Sequence, residues 1–144
     1  MSLHRQTLLL CLTALALAAP LTAQAKTYYV GGGLKLTKRG TWSKKNLNPW
    51  GVGFQKRWSA PAEIKTGDQL VFIWNTKANV YQYNGGDEGD YDACLKNSER
   101  GTMLAPTSLF GRYTYKAEES CVTLFFASTV GCKKGLKFKT SVAC

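Results

Sequence analysis

Cys121-Val122-Thr123-Leu124-Phe125-Phe126-Ala127 and Leu136-Lys137-Phe138-Lys139-Thr140-Ser141-Val142-Ala143-Cys144 are two short runs rich in β-branched and aromatic residues, separated by a stretch that contains Gly131 and Gly135. Runs of this kind around turn formers read as the two strands of an antiparallel hairpin. A turn centred near Gly131-Cys132 sets Cys121 opposite Cys144, because both lie about equally far from it. Directly opposed residues have Cα atoms about 4.5 to 5.5 Å apart, within the span of a disulfide. Cys11 lies in an N-terminal apolar segment, so the pairing leaves Cys94 for Cys132. Each bridge contributes about 3 to 4 kcal/mol in the loop-entropy picture.

Working outward, further runs with the same composition occur at Thr27 to Val30, Gln69 to Trp74, Val80 to Tyr83 and Gly111 to Tyr115. Turn formers punctuate them, among them Gly31-Gly32-Gly33, Asn48-Pro49, Thr66-Gly67-Asp68 and Asn84-Gly85-Gly86. No window holds the three-and-four spacing of a core helix, so the pattern predicts an all-β sandwich or barrel. One short helix is expected between Asp90 and Ser98, beside Cys94.

Residues 1–25 read as an export signal: His4 and Arg5 precede an apolar stretch from Thr7 to Leu21, and Ala23-Gln24-Ala25 forms a small-residue cleavage site. A membrane anchor would need about 20 apolar residues. Cleavage before Lys26 leaves one domain, 26–144, of 119 residues. The only histidine, His4, departs with the signal, and the four remaining cysteines form an even set suited to two disulfides in an exported protein. Without Arg5 the chain carries 18 Lys+Arg against 9 Asp+Glu, a net of +9. Outside the cell such a charge favours acidic polysaccharide or proteoglycan over nucleic acid.

Tyr28-Tyr29-Val30-Gly31-Gly32, Trp42, Trp58 and Ile64-Lys65-Thr66-Gly67-Asp68-Gln69-Leu70-Val71-Phe72, followed by Asn79-Val80, Tyr91-Asp92-Ala93-Cys94 and Gly131-Cys132-Lys133-Lys134-Gly135-Leu136-Lys137-Phe138, resemble the plant phytocyanins over nearly the whole of 26–144. The resemblance implies a cupredoxin-like Greek-key β-sandwich with a bridge between cysteines matching Cys94 and Cys132. It also implies a copper site whose two histidines, cysteine and axial methionine or glutamine fall, in this sequence, at Ala78 and Gly131, at Phe126, and at Leu136. The spacing is retained and no donor atom is. A blue-copper centre needs two imidazole nitrogens and a thiolate, so the expectation is that no copper or other cofactor is bound. Ala78, Phe126 and Leu136 are instead expected to form an apolar plug.

For catalysis the usual first choice, histidine, is absent from 26–144, and no catalytic residues are expected. Asp87, Glu88, Asp90 and Asp92 lack the twelve-residue pattern of a calcium loop and read as a solvated acidic loop, as do Glu118-Glu119. Trp58 and Trp74 are read as core residues. Trp42 and Trp50 share a long loop with Lys38, Arg39, Lys44, Lys45 and Lys56, an interleaving of cations and aromatics that suits a polyanionic partner. There is no Asn-X-Ser/Thr acceptor, and neither a transmembrane nor a lipid anchor is expected. The leading expectation is therefore a secreted, non-redox protein of the apoplast or cell wall that binds or builds through a basic surface. Retained copper electron transfer is the alternative, and an extracellular hydrolase a more distant one.

Overall fold

The computed structural model describes residues 24–31, 49–56, 58–85, 88–96 and 100–144. Eight strands and one short helix follow in the order β1 (Thr27–Val30), β2 (Glu63–Ile64), β3 (Gln69–Trp74), β4 (Ala78–Tyr83), α1 (Glu88–Ala93), β5 (Gly101–Ser108), β6 (Gly111–Lys116), β7 (Val122–Ala127) and β8 (Lys137–Val142). They form two sheets, β1-β3-β6 and β2-β8-β7-β4-β5. β1 runs parallel to β3 and β2 parallel to β8, while the other pairs are antiparallel.

The sheets close on one apolar core. Leu70, Phe72 and Trp74 reach it from β3, and Val80, Leu124, Phe126, Phe138 and Val142 meet them from the larger sheet. Alternation along β3 delivers every second residue to this layer, as the two-residue period of a strand requires. β4 and β7 lose that alternation because both of their faces are covered. Their outer face carries Tyr81, Tyr83, Phe125 and Ala127, which pack with Tyr91 of α1 and with Cys132 in a second cluster. The near-continuous burial of Ala78 to Tyr81 and of Leu124 to Ala127 marks strands covered on both sides.

The six-residue α1 is too short to persist by propensity. Tertiary contacts hold it. The Cys94–Cys132 bridge anchors the chain just after the helix, and Lys137 Nζ donates to the carbonyls of Tyr91 and Asp92 at 3.1 and 3.0 Å. A lysine at the exposed carbonyl end of a helix suits its dipole. Glu88 pairs with Lys139 at 2.5 Å, and Asp90 with Arg100. The helix thus starts and ends earlier than the expected Asp90 to Ser98, because its fixed points are Glu88 and Cys94.

Both disulfides form as expected, with Cα separations of 5.8 Å for Cys94–Cys132 and 4.4 Å for Cys121–Cys144. The hairpin register nevertheless differs by one residue from the expected one. Val122 faces Val142, and Cys121 N–H donates to Ala143 O at 3.3 Å. The turn holds a single-turn 3-10 helix, Cys132–Lys134, whose ladder partners centre on Cys132 itself. β5 was not read from the sequence. Its Pro106 lies in a bulge where Ala105 faces Val80 but Ser108 faces Ala78, on the outer edge of the sheet, the place where a strand tolerates proline.

Burial pushes the Tyr91 hydroxyl up to about 12, with Asp92, Glu88 and Tyr83 adding repulsion for the phenolate. Below about pH 10 the phenol is protonated both folded and unfolded, so its contribution is fully present. Between pH 10 and 12 only the unfolded chain ionises, and stability is lost as pH rises through the folded value. Urea midpoints should fall over that window, and Tyr91→Phe should make the fall shallower while changing the midpoint little at pH 7.

Candidate functional site

At one end of the sandwich the loops after β3 (75–77), between β5 and β6 (109–110) and between β7 and β8 (128–136) come together with segment 49–53. Asn79, wholly buried, ties them. Its Oδ1 accepts from Ser128 Oγ at 3.0 Å and from Thr129 N–H at 2.8 Å, and its Nδ2 donates to Thr107 Oγ1 and Thr129 Oγ1 at 2.8 and 2.7 Å. Its carbonyl accepts from Trp50 Nε1 at 2.9 Å. A polar side chain so deeply placed costs free energy unless its groups are paired, and here both the oxygen and the nitrogen are. An asparagine between Ala78 and Val80 in a strand of otherwise mostly apolar residues was the available sequence signal.

The four positions at which the resemblance places copper donors all fall at this end, in or beside the core. Ala78 and Phe126 have no exposed surface and Leu136 only 1%. These three belong to one contiguous apolar cluster. The Phe126 ring stacks on Phe138 at 5.4 Å and also meets Phe72 at 5.4 Å and Tyr115 at 5.0 Å. The fourth position, Gly131, is closed over by Leu136, whose N–H donates to Gly131 O at 3.0 Å. A Cβ built on Gly131 would lie 2.8 Å from Leu136 Cδ2 and 2.9 Å from Leu136 Cβ. The second contact cannot be relieved by turning the leucine, since Cβ moves only with the backbone.

These residues do not fit copper. A methyl, a phenyl, a hydrogen and an isobutyl group supply no lone pair for a site built on imidazole and thiolate, and the geometry at Gly131 leaves no room for an imidazole. Cys94, Cys121, Cys132 and Cys144 are all held in disulfides. Among the described residues, no group of three or more His, Cys, Asp or Glu is placed to hold a metal ion.

No family model and no curated protein matches the chain. Among solved structures, the blue copper protein named cucumber basic protein is similar, at 21% identity over 81% of this chain and 98% of that chain, with a TM-score of 0.53. Cucumber stellacyanin is 20% identical over 84% of this chain and 98% of its own, with a TM-score of 0.51. The chain has the cupredoxin fold. Its structural neighbours are phytocyanins, so the resemblance read from the residues holds as one of fold. Within that cupredoxin fold the end that would carry metal is filled by the chain's own side chains.

The basic, aromatic surface expected from the sequence needs one correction. Trp50 is fully buried, 4.9 Å from Phe54 and 5.3 Å from Phe72, with its indole N–H committed to Asn79 O. Adjacent loop residues made it look exposed, whereas the amide of Trp50 pairs with Ile73 O at 2.7 Å and draws the ring under the sheet edge. Lys56 is exposed, at the end of the single-turn 3-10 helix Phe54–Lys56. Lys38, Arg39, Trp42, Lys44 and Lys45 lie outside the described residues, as do Asp87 and nearly all of the signal segment. Trp58 and Trp74 pack against the core as expected. Glu88, Asp90 and Asp92 are spent on ion pairs with Lys139, Arg100 and Lys137. Sequence reading missed the exposed apolar residues of this end, Val52, Leu109, Phe110 and Val130.

Gly131→Ala should cost about 1 to 3 kcal/mol in urea unfolding, as overpacking of a close contact does. The cost should persist in a Leu136→Ala background, which keeps the offending Cβ, and shrink in Leu136→Gly.

Proposed function

We propose that the chain is a secreted, non-redox binding or structural protein of the apoplast or cell wall, neither an enzyme nor an electron carrier, acting on acidic polysaccharide through its cationic surface. The observation that carries this reading is Leu136 seated on Gly131, with Phe126 buried beside Phe138, at the positions a copper centre would need. A scaffold whose metal end is packed shut keeps its rigidity and its surface and loses its redox chemistry. The formal net charge of +9 left once Arg5 is removed with the signal, from 18 Lys+Arg against 9 Asp+Glu, supplies the attraction to polyanions. No helix among the described residues is long and apolar enough to cross a membrane.

Stoichiometric Cu(II) added to the purified protein should raise no intense visible band, and an intense blue band would overturn the non-redox assignment. On a polysaccharide array, acidic polymers should bind and release with added salt. Preference for neutral glucans, or binding that survives high salt, would overturn the electrostatic part.

A further inference from the structure

Seven large hydrophobic residues are exposed among the described residues, and four of them, Val52, Leu109, Phe110 and Val130, lie on the loops of the β3–β4 end. Leu109 and Phe110 form the tip between β5 and β6 and are 62% and 74% exposed. The tip is rigidly based: Ser108 Oγ donates to Phe110 O at 2.8 Å and accepts from Trp74 Nε1 at 3.0 Å, and Gly111 sits directly against the Trp74 indole. Val52 and Val130 line a shallow groove beside it with Lys77 and Lys134. Lys77, Lys133 and Lys134 are all exposed. The loops 49–53, 75–77, 109–110 and 128–136 contain no Asp or Glu.

The described acids lie elsewhere. Asp68, Glu118 and Glu119 stand at the opposite end, where β3 begins and β6 stops, Glu63 lies beside the last residues of β8, and the rest are on α1 along the flank. Among the described residues, the β3–β4 end therefore joins exposed apolar side chains to three lysines with no carboxylate between them, whereas at the opposite end lysines such as Lys65 and Lys116 stand beside acids.

We propose that the β3–β4 end docks on an anionic lipid surface, the Leu109-Phe110 tip entering the acyl boundary while Lys77, Lys133 and Lys134 meet the headgroups. An exposed apolar tip at the same end as three lysines, with no described carboxylate beside it, complements a negatively charged interface in both hydrophobicity and charge. Two copies pairing through this end would set lysines against lysines with no acid to offset them. A polysaccharide would use the lysines and at most stack on Phe110, leaving the exposed Leu109 without a role. This inference goes beyond the polyanion reading above and stands without it.

The test uses the protein released by a secretory host and sedimented with vesicles of phosphatidylcholine containing phosphatidylserine, or of phosphatidylcholine alone. Binding is expected only to the anionic vesicles. Leu109→Ser with Phe110→Ser should weaken it at least tenfold, Lys134→Glu should weaken it at least about fivefold, and Lys65→Glu, an equal charge change at the opposite end, should have little effect. The tip variant binding as tightly as the parent, or Lys65→Glu losing as much as Lys134→Glu, would overturn the proposal. So would a dimer that the tip variant dissolves without any vesicle binding, or vesicles left unbound by a protein that acidic polysaccharide still captures.

A second observation carries an independent inference about maturation, one that rests on removal of residues 1–25. The backbone nitrogen of Lys26 donates to Asp68 Oδ1 at 2.7 Å, Lys65 N–H donates to Oδ2 at 2.8 Å, and Asp68 is 3% exposed. We infer that cleavage before Lys26 converts this amide donor into an α-ammonium group held on a buried carboxylate, so that processing adds an ion pair to the joint between β1 and β3. Gln69 N–H bonding to Lys26 O at 2.8 Å holds the new terminus in place. Mass measurement of the released protein tests the cleavage itself. Melting temperatures of the released chain and of one retaining Gln24 and Ala25, each with and without Asp68→Asn, test the ion pair. Asp68→Asn should lower the released form by about 4 °C more than the extended form. Equal losses would overturn the ion pair even if cleavage is confirmed.

Discussion

The wholly buried Asn79 ties the loop after β7 and segment 49–53 to β4 and β5 at the β3–β4 end. Its side chain joins β4 to Thr107 of β5 and to the loop that leaves β7 at Ser128, and its backbone carbonyl accepts from Trp50. In a blue copper protein, a metal ion cross-links loops of this kind. Here Ala78, Phe126, Gly131 and Leu136 offer no donor atom, and the same loops are tied by hydrogen bonds and apolar contact. Buried polar groups that are all paired rigidify a core and specify one arrangement of it. The loop 128–136 is thereby fixed in the conformation that seats Leu136 on Gly131 and turns Val130 outward.

The packing of this end has consequences for the rest of the sandwich. Phe126 lies in a continuous set of aromatic contacts with Phe72, Phe138 and Tyr115, so the core runs without interruption to the end of the sandwich. With Cys132 engaged by Cys94, the outer face of the same hairpin is locked to α1. What remains available to a partner is the rim: an exposed tip, lysines and no carboxylates.

Much of this fold was legible residue by residue. Thr27–Val30 and Gln69–Trp74 coincide with the strands read from the sequence, because β-branched and aromatic runs bounded by glycine and proline declare themselves locally. β5 did not, since Pro106 and an edge position disguise a strand whose pairing is one-sided. Trp50 was misplaced for a related reason. Its neighbours in sequence belong to a basic loop, while its position is decided by Ile73 and Asn79, remote in the chain.

The amino-acid sequence by itself determined the chemistry that is possible: four cysteines able to pair, no histidine after residue 4, and no donor at Ala78, Phe126, Gly131 or Leu136. Side-chain identity settles whether a lone pair exists, whatever the fold. Only the tertiary structure decided how these positions are filled, which tryptophan faces the core, and that Val52, Leu109, Phe110 and Val130 meet Lys77, Lys133 and Lys134 at one end with no described carboxylate among them. Those are relations between residues far apart in the chain, created by strand pairing across two sheets, and no local pattern encodes them.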